Sequence, residues 1–295
     1  MKLLPHSTFL LILFSVAISC HKTEVEPLFT DPTNLPQPPH GCRIVKTIYK
    51  VMNNSKKQLP DAETISIENG PRVRIGTGVT TTYSYDDLGR LLEEKNSQFI
   101  IKYSYRLNKI FIQRMWFDTN KANNMMADQV KEYNLNNWGK IIADSTSKET
   151  YDALGNIIQI TNATSTSFYD YNIGNLIQYT LDFRSGSEKD IPTTLTRRGA
   201  LIISYSYLPN RPNLPQIKSF ESSHSKNLLL KKVIEAKESG EWGEGKLYQI
   251  NYSYLYDKQG RVKRQIKYGY SLSPLWLTEE DPSGISVTDY EYECP

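Results

Sequence analysis

Histidine is scarce in this chain, with four in 295 residues. Three of them, His6, His21 and His40, fall before position 41. Only His224 remains for the body of the protein, and there is no Cys-x-x-Cys, so no multi-ligand metal set is present in the sequence pattern. His224 as a catalytic base would need a nucleophile and an orienting acid brought from elsewhere. Its neighbours Ser222, Ser223 and Ser225 fit a solvated loop better. The phosphate-cradling loop, the dinucleotide fingerprint and the nucleophile elbow are all missing, so no cofactor is implied. Asp86, Asp87, Asp152 and Asp257 lack EF-hand spacing. Glu93-Glu94 and Glu279-Glu280-Asp281 read as solvated acids near turns rather than a glycosidase pair. The expected protein is not an enzyme. No apolar run reaches the ~20 residues a helical membrane span needs. Charge of one sign is also lacking: 35 basic against 32 acidic residues leave +3, which argues against a nucleic-acid binder.

What is present begins with an address. Met1-Lys2 is followed by an apolar stretch from Phe9 to Ile18 and then Ser19-Cys20, the layout of a signal peptide. Ala17-Ile18-Ser19-Cys20 resembles the lipobox of bacterial lipoproteins. The resemblance implies cleavage before Cys20, acylation of that residue, and the outer membrane as partner through its lipid. An ordinary signal peptide with an incidental cysteine is the plainer alternative. Residues 20–41 then read as a tether, because Pro27, Pro32, Pro36, Pro38 and Pro39 disfavour helix. An extended course of that length reaches about 65 Å.

Three cysteines are present. With Cys20 lipidated, Cys42 and Cys294 remain, one at each end of the body. An even pair in an oxidising compartment invites a disulfide; two independent buried thiols are the alternative. A bond would make the first and last strands neighbours.

Tyrosine is in excess, at 20 against nine Phe and four Trp. Much of it falls in one recurring phrase, Tyr-x-Tyr-Asp-x-x-Gly-basic-aliphatic. The clearest copies run Tyr83 to Leu91 and Tyr254 to Val262. Tyr133 to Ile141, Tyr151 to Ile157 and Tyr169 to Leu176 are variants, Tyr103 to Ile110 places Asn108 at the glycine position, and Tyr205 to Asn210 keeps only the strand half. Tyr-x-Tyr puts two aromatics on one strand face. Asp or Asn caps a turn through its side chain. Glycine then takes φ > 0, as Asn108 would with less ease, and each phrase predicts a hairpin with a bulge.

These phrases resemble the YD repeats of Rhs-type and teneurin-like proteins. Together with the lipobox, the proline tether, Cys42 and the closing Tyr290-Glu291-Tyr292-Glu293-Cys294, they are similar to Bacteroidetes envelope lipoproteins assigned to domains of unknown function. The resemblance implies a cell-envelope location, outer membrane included, with the membrane face open.

The expected fold is all-β, a single domain over 42–295: a large curved antiparallel meander of about a dozen strands, rolled or closed into a barrel-like sheet. Cys42 to Val51 is the expected first strand, with Ile44, Lys46, Ile48 and Lys50 on one face. Leu228 to Ala236 reads as strand, and Gln98 to Tyr105 pairs with Lys109 to Phe117. The expected function is a non-enzymatic binding or scaffolding module for a polysaccharide or an envelope protein. A lipid or acyl-chain carrier and an accessory of a Rhs-like toxin system are the alternatives. Tyr83, Tyr85, Tyr103, Tyr105, Tyr252, Tyr254 and Tyr256 are the candidate ligand contacts, because a tyrosine offers a flat apolar face and a hydroxyl. Packing of a curved interior is the competing use for the same rings.

Overall fold

The computed structural model describes residues 41–52, 63–67, 72–117, 125–142, 147–182, 199–221, 225–237, 245–271 and 284–295. The signal segment, Cys20, the tether up to residue 40, His224 and the acidic run 279–281 lie outside the described residues.

Among the described residues there are eighteen strands. The first seven are β1 (Arg43–Val51), β2 (Glu63–Ser66), β3 (Arg72–Ile75), β4 (Val79–Tyr85), β5 (Leu91–Lys95), β6 (Phe99–Arg106) and β7 (Lys109–Phe117). Next come β8 (Met125–Ala127), β9 (Lys131–Asn134), β10 (Lys148–Tyr151), β11 (Ile157–Thr161), β12 (Thr166–Asn172) and β13 (Asn175–Asp182). The last five are β14 (Ala200–Pro212), β15 (Asn227–Lys237), β16 (Gly245–Tyr256), β17 (Val262–Ser271) and β18 (Ile285–Glu293). Sixteen form one antiparallel sheet in the order β10 to β18, then β1, β4, β5, β6, β7 and β8, with β9 also on β7. The strands outnumber the expected dozen because five short ones, β2, β3, β8, β9 and β10, of three or four residues each, add to the longer strands. β2 and β3 make a separate hairpin that lies across the main sheet.

β18 pairs with β1, and the Cys42–Cys294 disulfide joins their ends. The first and last strands are neighbours, as the cysteine pair predicted. The sheet is rolled but not closed. β10 forms one edge and β8 with β9 the other, and no ladder joins these edges among the described residues. Among the described residues they meet at the turn after β9. The Trp138 ring, in the turn after β9, lies 5.5 Å from Tyr151 of β10. It also covers Gly155, where a β-carbon would fall 2.5 Å from the indole.

Alternation divides the sheet into a concave and a convex face. The concave face packs Ile44, Tyr254, Tyr256, Val262 and Tyr290 with Leu228 in one cluster, and Leu91, Ile101, Tyr103 and Ile110 in another. Residues 213–221, between β14 and β15, cross this face. Leu214 and Ile217 pack on the first cluster, Phe220 is buried in the second, and Lys218 reaches Glu94 at 3.2 Å. On the convex face the β2–β3 hairpin covers Ile266, Ile285 and Val287 with Ile65, Ile67 and Ile75. It is pinned by Arg264, which binds both Asp289 and Glu63, and by Lys50, 3.3 Å from Glu63.

Two local expectations are corrected. Ile44 does not share a face with Lys46, Ile48 and Lys50, because a bulge at Val45 shifts the register between them. Ile44 turns into the core, while Lys46 faces Glu291 outside at 2.8 Å. In the β6–β7 turn the positive φ falls on Leu107, at 52°, and not on Asn108. A two-residue hairpin loop with positive φ at its first position follows the strand twist equally well.

Candidate binding site

The recurring phrase builds one turn four times. Asp86, Asn136, Asp152 and Asp257 each accept, through Oδ1, the amide of the residue two ahead at 2.9–3.0 Å. The same oxygen accepts the amide four ahead at 2.8–3.0 Å. Gly89, Gly139, Gly155 and Gly260 hold φ of 72–82°, where a side chain would be strained. The residue after the glycine then closes on the cap: Arg90 on Asp86 at 2.7 Å, Asn156 on Asp152 at 2.9 Å, and Arg261 on Asp257 at 2.6 Å. Lys140 instead donates to the Ser219 carbonyl at 2.7 Å, tying the crossing segment to its turn. Burial opposes the charge of Asp86 and Asp152, but the bonds from Arg90 and from Asn156 outweigh it and hold both carboxyls below the usual range.

The tyrosine excess has a second cause that local sequence does not show. Seven strands carry a single extra residue against one neighbour: Val45, Leu92, Ile158, Ile177, Leu230, Leu247 and Lys263; at five of these, all but Ile158 and Leu247, one device recurs. A bulge frees the carbonyl beside it from the ladder. In all five cases a tyrosine from the strand on the other side donates to the carbonyl just before the extra residue. Tyr85 reaches Ile44 O at 2.6 Å, Tyr105 reaches Leu91 O at 3.0 Å and Tyr207 reaches Leu176 O at 2.6 Å. Tyr254 reaches Leu229 O at 2.7 Å and Tyr292 reaches Val262 O at 2.6 Å. Burial raises the pKa of each of these hydroxyls, that of Tyr105 to about 12.

The seven candidate tyrosines therefore sit on the concave face, and most are engaged there. Tyr85, Tyr105 and Tyr254 hold bulge carbonyls. Tyr83 meets Thr47 Oγ1 at 3.1 Å, and Tyr103 donates to Glu94 at 3.2 Å. Tyr252 packs between two core clusters. Tyr256 differs. It is 1% exposed, yet its hydroxyl has no hydrogen-bond partner. Burial lifts its pKa to about 12.

Tyr256 borders a cavity of about 700 Å³ beside the disulfide. Its walls come from the end of β14 and the chain beyond it, the start of β15, the β12–β13 and β16–β17 turns, and Cys42. Side-chain amides fix those walls. Asn175 and Asn227 bond each other at 3.0 Å, Asn227 donates to Arg211 O at 3.0 Å, and Asn213 donates to Ser225 O at 2.9 Å. The lining carries Arg211, Arg261 and Lys226 and no acidic residue. Arg211 is only 6% exposed, and its guanidinium stands 5.6 Å from the centre of the Tyr256 ring. Arg261 stands 5.4 Å from the centre of the Tyr292 ring and donates to Cys294 Sγ at 3.3 Å. Leu214, Leu228 and Val262 supply the apolar part. The sequence reading missed Arg211 and Lys226. The signal for Arg211 is the proline-rich run Pro209 to Pro215, across which the regular ladder of β14 breaks down; Lys226 has none.

Among the described residues no group of three His, Cys, Asp or Glu is placed to hold a metal ion. No family model matches this chain, and no curated protein does. A solved structure described as a porin-like protein from Bacteroides uniformis ATCC 8492 is similar over 85% of this chain and 98% of that one, at 13% identity and a TM-score of 0.39. A likeness that distant fixes neither the fold nor the function of this chain.

Proposed function

We propose that the chain is a non-enzymatic lipoprotein of the cell envelope, anchored through Cys20 to the outer membrane, and that its body binds a polysaccharide. The observation that carries the reading is the open, rigidly walled cavity beside the disulfide, within the 300–1,000 Å³ usual for small-ligand sites. The proline tether would hold that cavity away from the bilayer, within reach of glycan. The convex face is consistent with an aqueous surrounding. It carries the Lys46–Glu291 pair and the facing residues Glu93 and Lys102, charges that a lipid-facing strand surface excludes. A lipid carrier is less well supported, because tyrosine and isoleucine side chains and Phe220 occupy the concave face a fatty chain would need.

The test is affinity electrophoresis of the full-length lipoprotein, in mild detergent, through gels containing purified capsular or lipopolysaccharide glycans of its host. Retardation by one of them is expected. Unchanged mobility in all gels, with a lipid-sized mass retained in native mass spectrometry, would overturn the reading in favour of the carrier.

A further inference from the structure

We infer that the cavity beside the disulfide is a carboxylate subsite that takes an acidic sugar unit, a uronate residue of a glycan. This rests on the polysaccharide reading above and names the ligand's chemistry. Three observations carry it. First, no acid lines the cavity, and Arg211 near the end of β14 and Lys226 just before β15 both border it; Arg261 borders it too, but its charge is met by Asp257 at 2.6 Å and is not counted with theirs. Guanidinium groups match a planar carboxylate with paired N–H donors. Second, the Tyr256 hydroxyl is buried and unpartnered at the cavity wall. Five other tyrosines of the same end spend their hydroxyls on bulge carbonyls, so this one stands outside the structural pattern. A buried donor without a partner is costly to keep, and a ligand oxygen would satisfy it. Third, the guanidinium groups of Arg211 and Arg261 stand over the Tyr256 and Tyr292 rings. A neutral sugar would want those faces for stacking, whereas an acid is met by the cations themselves. Leu214 and Leu228 offer the C–H face of the sugar an apolar wall.

The experiment is titration calorimetry of the full-length lipoprotein in mild detergent. The probes are di- to tetrasaccharides of glucuronate and galacturonate, their methyl esters, and a short peptide with a free C-terminal carboxylate. The acids are expected to bind, with affinity falling as salt rises, and the esters to bind at least about tenfold more weakly. Tyr256→Phe is expected to weaken the acids about tenfold while leaving the melting temperature unchanged, because its hydroxyl supports nothing in the fold. Lys226→Gln, an exposed change, is expected to weaken them about threefold. Equal binding of acid and ester, unaffected by either variant, would overturn the subsite and leave the polysaccharide reading standing. Binding of the peptide alone would overturn both. No binding of any uronate, with glycan retardation intact in the gels, would overturn the subsite only.

Discussion

The two ends of the roll turn the chain between antiparallel strands by different means. At one end the connections are short and repeated, and strands bulge within their first four residues. Tyrosines from neighbouring strands fill the freed carbonyls, and the disulfide ties β1 to β18. At the other end the described turns are capped by asparagine alone. Asn96 takes the amides of Gln98 and Phe99 at 2.8 and 2.9 Å, and Asn162 takes those of Thr164 and Ser165 at 2.9 and 2.8 Å. The remaining connections there are long, as between Asp182 and Ala200. The fold keeps its rigidity at the short-turn end. Buried polar groups with satisfied bonds concentrate at the short-turn end, and the cavity lies there too, on walls that do not have to be ordered by a ligand.

Raising the pH is expected to have the largest effect on the short-turn end. In the free chain tyrosine ionises near 10, but folded Tyr105 and Tyr256 are held up to about 12 by burial. The folded state keeps those protons longer, so their contribution to stability is full below pH 10 and is lost as pH climbs through 12. The short-turn end should fail first, seen as a cooperative rise of tyrosinate absorbance coincident with loss of the circular dichroism of the sheet. Gradual ionisation without unfolding would show that the tyrosines are not essential to that end.

Replacing both Cys42 and Cys294 by serine is expected to cost up to about 5 kcal/mol in urea unfolding, since the bond spans a sequence separation of 252 residues. Asp257→Ala should come next. Asp257 is fully buried and holds Gln259, Arg261 and the Arg261 guanidinium, so its loss leaves an unpaired cation and costs about 3 kcal/mol. Asn96→Ala, at the opposite end, removes only a cap and should cost about 1 kcal/mol. Equal losses at the two positions would erase the distinction between the ends. The smallest effects sharpen it within one end. Tyr254→Phe strands the Leu229 carbonyl and should cost about 1–2 kcal/mol, whereas Tyr256→Phe should stay within about 0.5 kcal/mol.

The repeated turn was readable from sequence because all its parts are local: the capping Asp, the glycine three residues on, and a strand of alternating tyrosines. The pairing of Cys42 with Cys294 was readable because only two thiols remained for the body. The role of the tyrosine hydroxyls was not, because a donor and its bulge carbonyl lie on different strands and meet only through register. Tyr292 and Val262 are an example. Ile173, a β-branched residue at a φ of 50°, was not foreseeable either, since its geometry is imposed by the β12–β13 pairing around it. The cavity was hidden for the same reason: Arg211 and Arg261 are far apart in sequence and converge only when β14, β15 and β16 lie side by side.

The pairing of β1 with β18 also sets a timetable. A chain emerging from its N-terminus can form β1 and dock β4 early, yet the other edge of β1 stays uncovered until every other described strand has been made. The sheet grows as two separate wings, and β18 is the hinge strand that unites them. Non-local pairing of this kind slows folding and prolongs exposure of an unpaired edge. The joint oxidation of Cys42 and Cys294 to a disulfide, two protons and two electrons passing to a thiol oxidant of the envelope, then works as a latch on the last event of assembly, so that a chain cut short before β18 is left with two unjoined wings and an unpaired thiol.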